Sequence, residues 1–281
     1  MMARDLTIEL PHLRLAAREW GPVGGPPVLA LHGWLDNAAS FDRLAPLLPE
    51  LHLVALDLAG HGRSQHRHPS VVHHFIDWAP EVVAIADQLG WESFELIGHS
   101  MGAGISTLVA GTFRDRVRRL VLLEGAGPLA ADAAMAPAQL ASAVEDEARA
   151  LAATPRLFTD LDAAIRARQR DSDLDTEAAR LLVERGSEEV EGGVRFTHDP
   201  RLRTRSRTRL TENQALAFLA AIECPVLAVR ALQGWPFPKD VVMARLKKIQ
   251  DLETAEIEGG HHVHLTHPER VAPIIRAFLS S

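Results

Sequence analysis

The chain has 281 residues, 24% of them charged and 47% hydrophobic, which fits one large globular domain or a core carrying a substantial insertion. At this length about three-quarters of the unfolded surface is buried on folding, so neither disulfides nor a structural metal is needed. A formal charge of −7 argues against the basic face of a nucleic-acid binder, and the single cysteine, Cys224, excludes an internal disulfide.

Cys224 precedes Pro225 in an apolar setting and reads as a packing residue, because its neighbours supply no positive charge to activate a thiol. One cysteine suits a reducing compartment. The N-terminal run MMARDLTIELPHLRL has no continuous apolar segment, and no stretch approaches membrane-spanning length. The expectation is a cytoplasmic protein, monomer or homodimer, without membrane or nucleic-acid partners. Tyrosine is absent altogether.

In chain order, DLTIEL and HLRLAARE alternate apolar and polar residues around Pro11, predicting an antiparallel hairpin at a sheet edge. PPVLALHG and LHLVALDLAG are short apolar runs, as in strands buried on both faces. Between them SFDRLAPLL predicts a short helix capped by Ser40. DWAPEVVAIADQLG predicts a helix with Asp77 as N-cap, Pro80 in its first turn and Gly90 at its end. SFELIGHS is a third buried strand, MGAGISTLVAGTF a helix that begins at once, and VRRLVLLEG a fourth strand. Repeated strand–loop–helix units imply an α/β fold with a mostly parallel, doubly wound sheet.

After GAGP the character changes, and from about 127 to 210 the pattern is amphipathic and helical, with a small hairpin inside EEVEGGVRFTHDP. Thr211 and Gln214, spaced as a capping box, restart the core rhythm, and CPVLAVR and TAEIEGG are its last strands. The predicted organisation is a core of 1–126 and 211–281 interrupted by a helical cap, 127–210. Within that cap, RLRTRSRTRL carries arginines at 201, 203, 205, 207 and 209. These fit an extended connector whose arginines face solvent or pair with the acidic cap helices better than an anion grip for a phosphate-bearing substrate.

The chemistry begins at Gly98-His99-Ser100-Met101-Gly102. An apolar strand leads into this G-x-S-x-G and a helix follows without a loop. So sharp a turn strains the central residue and needs small neighbours at −2 and +2. It lifts the Ser100 hydroxyl above the C-terminal edge of the sheet, at the positive end of a helix dipole.

On these residues the chain resembles the α/β-hydrolase superfamily. LALHGWLDNAASFDRLAPLLP with LLEGAGP is similar to its serine hydrolase-like proteins. The resemblance implies Ser100 as nucleophile and an oxyanion hole from the backbone N–H groups of Trp34 and Met101. It implies a base just after the last strand, at His261 of GGHHVHLTHPE, with Thr266 and Glu269 capping the closing helix. DLAGHGRS resembles a bracing turn of the family, so Asp57, His61 and Ser64 read as structural. The acid usually follows the strand that here reads PVLAVR, but Gly234 stands there. Some relatives carry the acid one strand earlier, and that position is Glu124. Asp240 is a weaker substitute. His32 reads as structural, held near the oxyanion loop, and with Phe158, Trp235 and Phe237 it is also a candidate pocket residue.

The implied reaction is cleavage of a carboxylic ester, thioester or lactone through an acyl-enzyme, without cofactor or metal, on a small-molecule ester-type substrate. Short-to-medium acyl esters are the expected class. Two other readings stay open: a ligand-binding or regulatory homologue with vestigial activity, and a C–C bond hydrolase using the same residues. Four histidines at 261, 262, 264 and 267 also raise a metal site, which would leave the serine elbow without a purpose.

Overall fold

The computed structural model describes every residue except Met1, Met2 and Asp171. Strands β1 (Arg4–Leu10) and β2 (Leu13–Trp20) form the hairpin around Pro11, with Leu10 opposite Leu13. Strands β3 (Pro27–Leu31) and β4 (His52–Leu56) follow, the latter buried along its whole length. Helix α1 (Trp78–Gln88) leads to β5 (Phe94–His99), α2 (Met101–Thr112) and β6 (Val117–Leu123).

Next come α3 (Ala136–Ala152), α4 (Leu161–Arg170), α5 (Thr176–Arg185) and the hairpin β7 (Ser187–Val190)–β8 (Gly193–Phe196). Helix α6 (Glu212–Ala220) starts with the capping box, Thr211 and Gln214 exchanging side-chain and backbone bonds. The chain closes with β9 (Val226–Gln233), α7 (Lys239–Leu246), β10 (Leu252–Gly260), α8 (Val263–Thr266) and α9 (Pro268–Leu279).

Eight strands form one sheet in the order β1-β2-β4-β3-β5-β6-β9-β10. All pairings from β4 to β10 are parallel, and only β1–β2 and β2–β4 are antiparallel. Their alternating side chains feed two cores. Leu29, Leu31, Leu96 and Leu122 pack toward α1, α2 and α6, while Val28, Ala30, Ile97 and Val121 pack toward α9. A third cluster, with Phe158, Ile165, Leu182 and Val183, lies inside the α3–β8 segment, here termed the cap. It meets the core at Ala39 and Leu265.

Two local expectations fail. SFDRLAPLL forms two 3-10 turns, Ala38–Phe41 and Ala45–Leu47, rather than a helix. Asn37 caps the first, its side chain accepting from the Ala39 N–H, and Pro46 has no N–H with which to continue an α-helical run. Ser40 is instead buried and hydrogen-bonded to His264 Nε2 at 2.9 Å. Asp77 makes no capping bond, because a 3-10 turn, Phe75–Asp77, runs straight into α1. No helix among the described residues is long and apolar enough to cross a membrane.

Candidate active site

Only three non-glycine residues among those described have positive φ: Leu35 (60°), Ser100 (51°) and Glu124 (52°). All three line or border one cavity at the C-terminal edge of the sheet. Such conformations cost about 1–3 kcal/mol each and persist where surrounding structure enforces them. At Ser100 the enforcement is visible: its N–H donates to Leu123 O at 2.9 Å, and its carbonyl accepts from Gly104 N at 3.1 Å inside α2. A Cβ on Gly98 would lie 2.5 Å from Gly102 O, and one on Gly102 would lie 2.1 Å from Leu31 O. The two glycines therefore make the turn sterically possible.

Glu124 directly follows β6 and is 8% exposed. Its N–H donates to Val229 O, which fixes the backbone against β9. Its carboxylate accepts from Ala231 N at 2.6 Å (Oε1) and from Trp235 N at 3.2 Å (Oε2). Oε2 also lies 3.2 Å from His261 Nδ1. A Cβ at Gly234 would fall 2.0 Å from Oε2. The Glu124 carboxylate thus occupies the space into which a side chain at 234 would project, and the missing acid after β9 and the surplus acid after β6 are one fact. Asp240 is exposed in the first turn of α7 and makes no contact with His261.

His261 follows β10 directly and is 15% exposed at its side chain. It shares a cavity of about 1230 Å³ with Ser100, Met101, Trp34, Trp235 and Phe237. The Trp235 ring stands 5.8 Å from the imidazole, while Trp34 Nε1 donates to Leu202 O in the 3-10 turn after β8 at 2.9 Å.

Two expected pocket residues do not line this cavity. His32 is fully buried: Leu58 N–H donates to its Nε2 at 3.1 Å, so the proton sits on Nδ1, which donates to Gly33 O at 2.7 Å. It pins the loop after β3 to that after β4, and burial lowers its pKa. Phe158 packs edge-on against Phe196 within the cap's own core. Asp57 and Ser64 brace as expected, Asp57 accepting from Ala38 N and Arg63 N and Ser64 Oγ donating to Asp57 O. Arg185 of α5 also reaches Asp57, at 2.9 Å, which ties the cap to this brace.

The histidine cluster disperses into separate roles. His264 is fully buried against Phe41 and His99, and burial with the nearby His262 charge pushes it down to about 3. His267 occupies the N-cap position of α9 without a capping bond, and Thr266 Oγ1 donates to His262 O instead of capping that helix. No sequence motif points to the partners of His262, Asp36 and Asp173, which come from the loop after β3 and from the cap. Among the described residues no three His, Cys, Asp or Glu side chains converge as a metal site.

The arginine stretch is mostly neutralised by pairing. Arg201 binds Asp199, while Arg205 and Arg207 bind Asp146 and Glu147 of α3. Arg203 Nε lies 3.1 Å from Nε2 of His198, which burial and the Arg203 charge push down to about 4. Cys224, pushed up to about 11 by burial, is no nucleophile at neutral pH.

A strained serine between strand and helix, with an imidazole and a buried carboxylate at the same sheet edge, defines a class of protein, and comparison with known families agrees. The family model for the alpha/beta hydrolase fold matches residues 26–268, and the chain belongs to that family. Within it, the chain is similar to the serine hydrolase-like protein of Danio rerio, 31% identical over 99% of this chain and 88% of that one. Serine hydrolase-like protein 2 of Homo sapiens is 31% identical over 98% and 93%. Among solved structures, a hypothetical protein of Pseudomonas aeruginosa PAO1 superposes with a TM-score of 0.94 at 42% identity, covering 99% of both chains. A thioesterase domain from the curacin biosynthetic pathway superposes at 0.86 and 26% identity, covering 98% and 99%. Hydrolysis is the class of reaction these matches support.

Proposed function

We propose that the chain is a serine hydrolase that cleaves a carboxylic ester, thioester or lactone through an acyl-enzyme. The observation that carries this reading is the Glu124–His261 contact at 3.2 Å, made possible by Gly234, beside a serine held at positive φ in the same cavity. Glu124 accepts the proton-bearing Nδ1 of His261, which leaves Nε2 unprotonated as the base. Ser100 Oγ attacks the acyl carbon, and its proton passes to Nε2. The Trp34 and Met101 N–H groups receive the developing oxyanion. Collapse expels the alcohol or thiol, which takes that proton. Water then repeats the sequence on the acyl-serine and releases the acid.

The cavity, about 1230 Å³, exceeds what a short acyl ester fills, so short esters serve as probes rather than as a match to the full site. The thioesterase neighbour supports keeping thioesters in the class. Labelling by a fluorophosphonate, with turnover of a short p-nitrophenyl ester, tests the reading. Both are expected in the wild type, and Ser100→Ala should lose labelling and about a millionfold in kcat. A wild type that neither labels nor turns over would instead favour a binding protein with a vestigial site.

A further inference from the structure

His262 adjoins the proposed base in sequence and has an electrostatic setting of its own. Its Nδ1 lies 2.5 Å from Asp173 Oδ1 and its backbone N–H donates to Asp173 Oδ2 at 2.9 Å. Its Nε2 lies 3.4 Å from Asp36 Oδ2. That oxygen accepts no well-aligned hydrogen bond, so the contact with Asp36 is mainly Coulombic. Asp36 Oδ1 is held from the cap by Arg168 Nη2 at 2.5 Å. Three separate pieces of chain meet here: the end of the oxyanion loop (Asp36), the cap (Arg168 of α4 and Asp173 before α5) and the loop carrying His261.

The His262 side chain is 9% exposed and that of Asp36 1%, while Asp173 is 31% exposed at the wall of the same cavity. A Cβ on Gly260 would lie 2.1 Å from Asp173 Oδ2, so glycine there is what lets the cap carboxylate approach the end of β10.

We propose that His262 is a positioning residue for hydrolysis: bridging Asp36 and Asp173, it holds the loop bearing His261 in register with the oxyanion loop beneath a docked cap. This rests on the assignment of His261 as the base. His262 touches no reacting atom, and its effect passes through the placement of His261 and Trp34.

The groups facing His262 set its charge. Asp36 and Asp173 are negative, Arg168 is positive behind Asp36, and His99, His261 and His264 have rings 5.2, 5.3 and 6.4 Å away. His99, fully buried, is held well below the usual histidine range by burial and by its histidine neighbours, and His264 is likewise neutral. Burial opposes charge on His262 as well, but Asp36, and then the hydrogen bond with Asp173, overcome it and push His262 up to about 9. A pKa raised on folding stabilises fully below the unfolded value of 6.5 and ceases to do so as pH rises through the folded value of about 9. The bridge is therefore closed at neutral pH and released in alkali.

The test combines NMR titration of the His262 ring with the pH dependence of kcat on a p-nitrophenyl ester, uncatalysed rate subtracted, in the wild type, Asp173→Asn and His262→Gln. The ring should titrate near 9 in the wild type, with an alkaline fall in kcat that follows it. Asp173→Asn should move both downward together. His262→Gln should lower kcat about 10- to 100-fold at neutral pH and remove that alkaline limb. The partly exposed Asp173 makes its variant the milder one for folding, which circular dichroism checks. Normal wild-type turnover with an unmoved limb in Asp173→Asn, or unchanged kcat in His262→Gln, overturns this role alone. Absent turnover and absent fluorophosphonate labelling in the wild type would overturn the hydrolase reading and this role with it.

Discussion

His261 and His262 are consecutive, yet carboxylates hold them in two different ways. The Glu124 carboxylate beside His261 is fixed by backbone N–H groups of Ala231 and Trp235, all within the sheet and its loops. The carboxylates beside His262 belong to Asp36 and Asp173, and the latter arrives from the cap. The first arrangement is built by strand register, which fixes positions once β6, β9 and β10 pair. The second depends on docking one segment on another through charge, so it answers to pH and to single charge removals. His261, the proposed base, is held by the core; in the proposed role of His262, the register of their loop against the cap rests on an ionic contact.

That contrast can be broken from either side. On the cap side the largest effect is expected in stability. Asp36→Asn leaves the His262 and Arg168 charges without their shared partner in a buried setting, at a cost of about 3–5 kcal/mol. Urea denaturation at neutral pH measures it, and a loss below about 1 kcal/mol would mean the contact is not a stabilising one. On the core side, Gly234→Ala should lower kcat about 100-fold while leaving Ser100 reactive toward a fluorophosphonate, because the added Cβ displaces the Glu124 carboxylate and not the nucleophile. Near-normal kcat in that variant would mean Glu124 does not need its present position.

The two arrangements also differed in legibility. The sheet could be read because its strands are short apolar runs separated by turn residues, and the strained serine turn because strand, glycines and helix adjoin in one local stretch. Glu124 stood out as a charge at the end of a buried strand, and Gly234 as an absent acid; that the two exclude each other sterically is visible only in three dimensions. The partners of His262 lie 89 and 226 positions upstream, and periodicity carries no information about how a cap docks. Phe158 was misread for the same reason, since an apolar residue in an insertion packs the insertion's own core as readily as a substrate cavity. His32 has the structural place expected of it near the oxyanion loop and not the pocket place, since both ring nitrogens are committed to the backbone.

In the proposed mechanism Glu124, not a carboxylate after β9, orients His261 as the base. That role is tested most directly by kcat on a p-nitrophenyl ester for Glu124→Gln beside Asp240→Asn, each confirmed folded. Glu124→Gln should lose about a thousandfold to ten-thousandfold, because the amide can no longer stabilise the imidazolium or hold the productive tautomer. Asp240→Asn should stay at the wild-type level, since its side chain is exposed on α7. Near-wild-type turnover in Glu124→Gln together with collapse in Asp240→Asn would contradict the account.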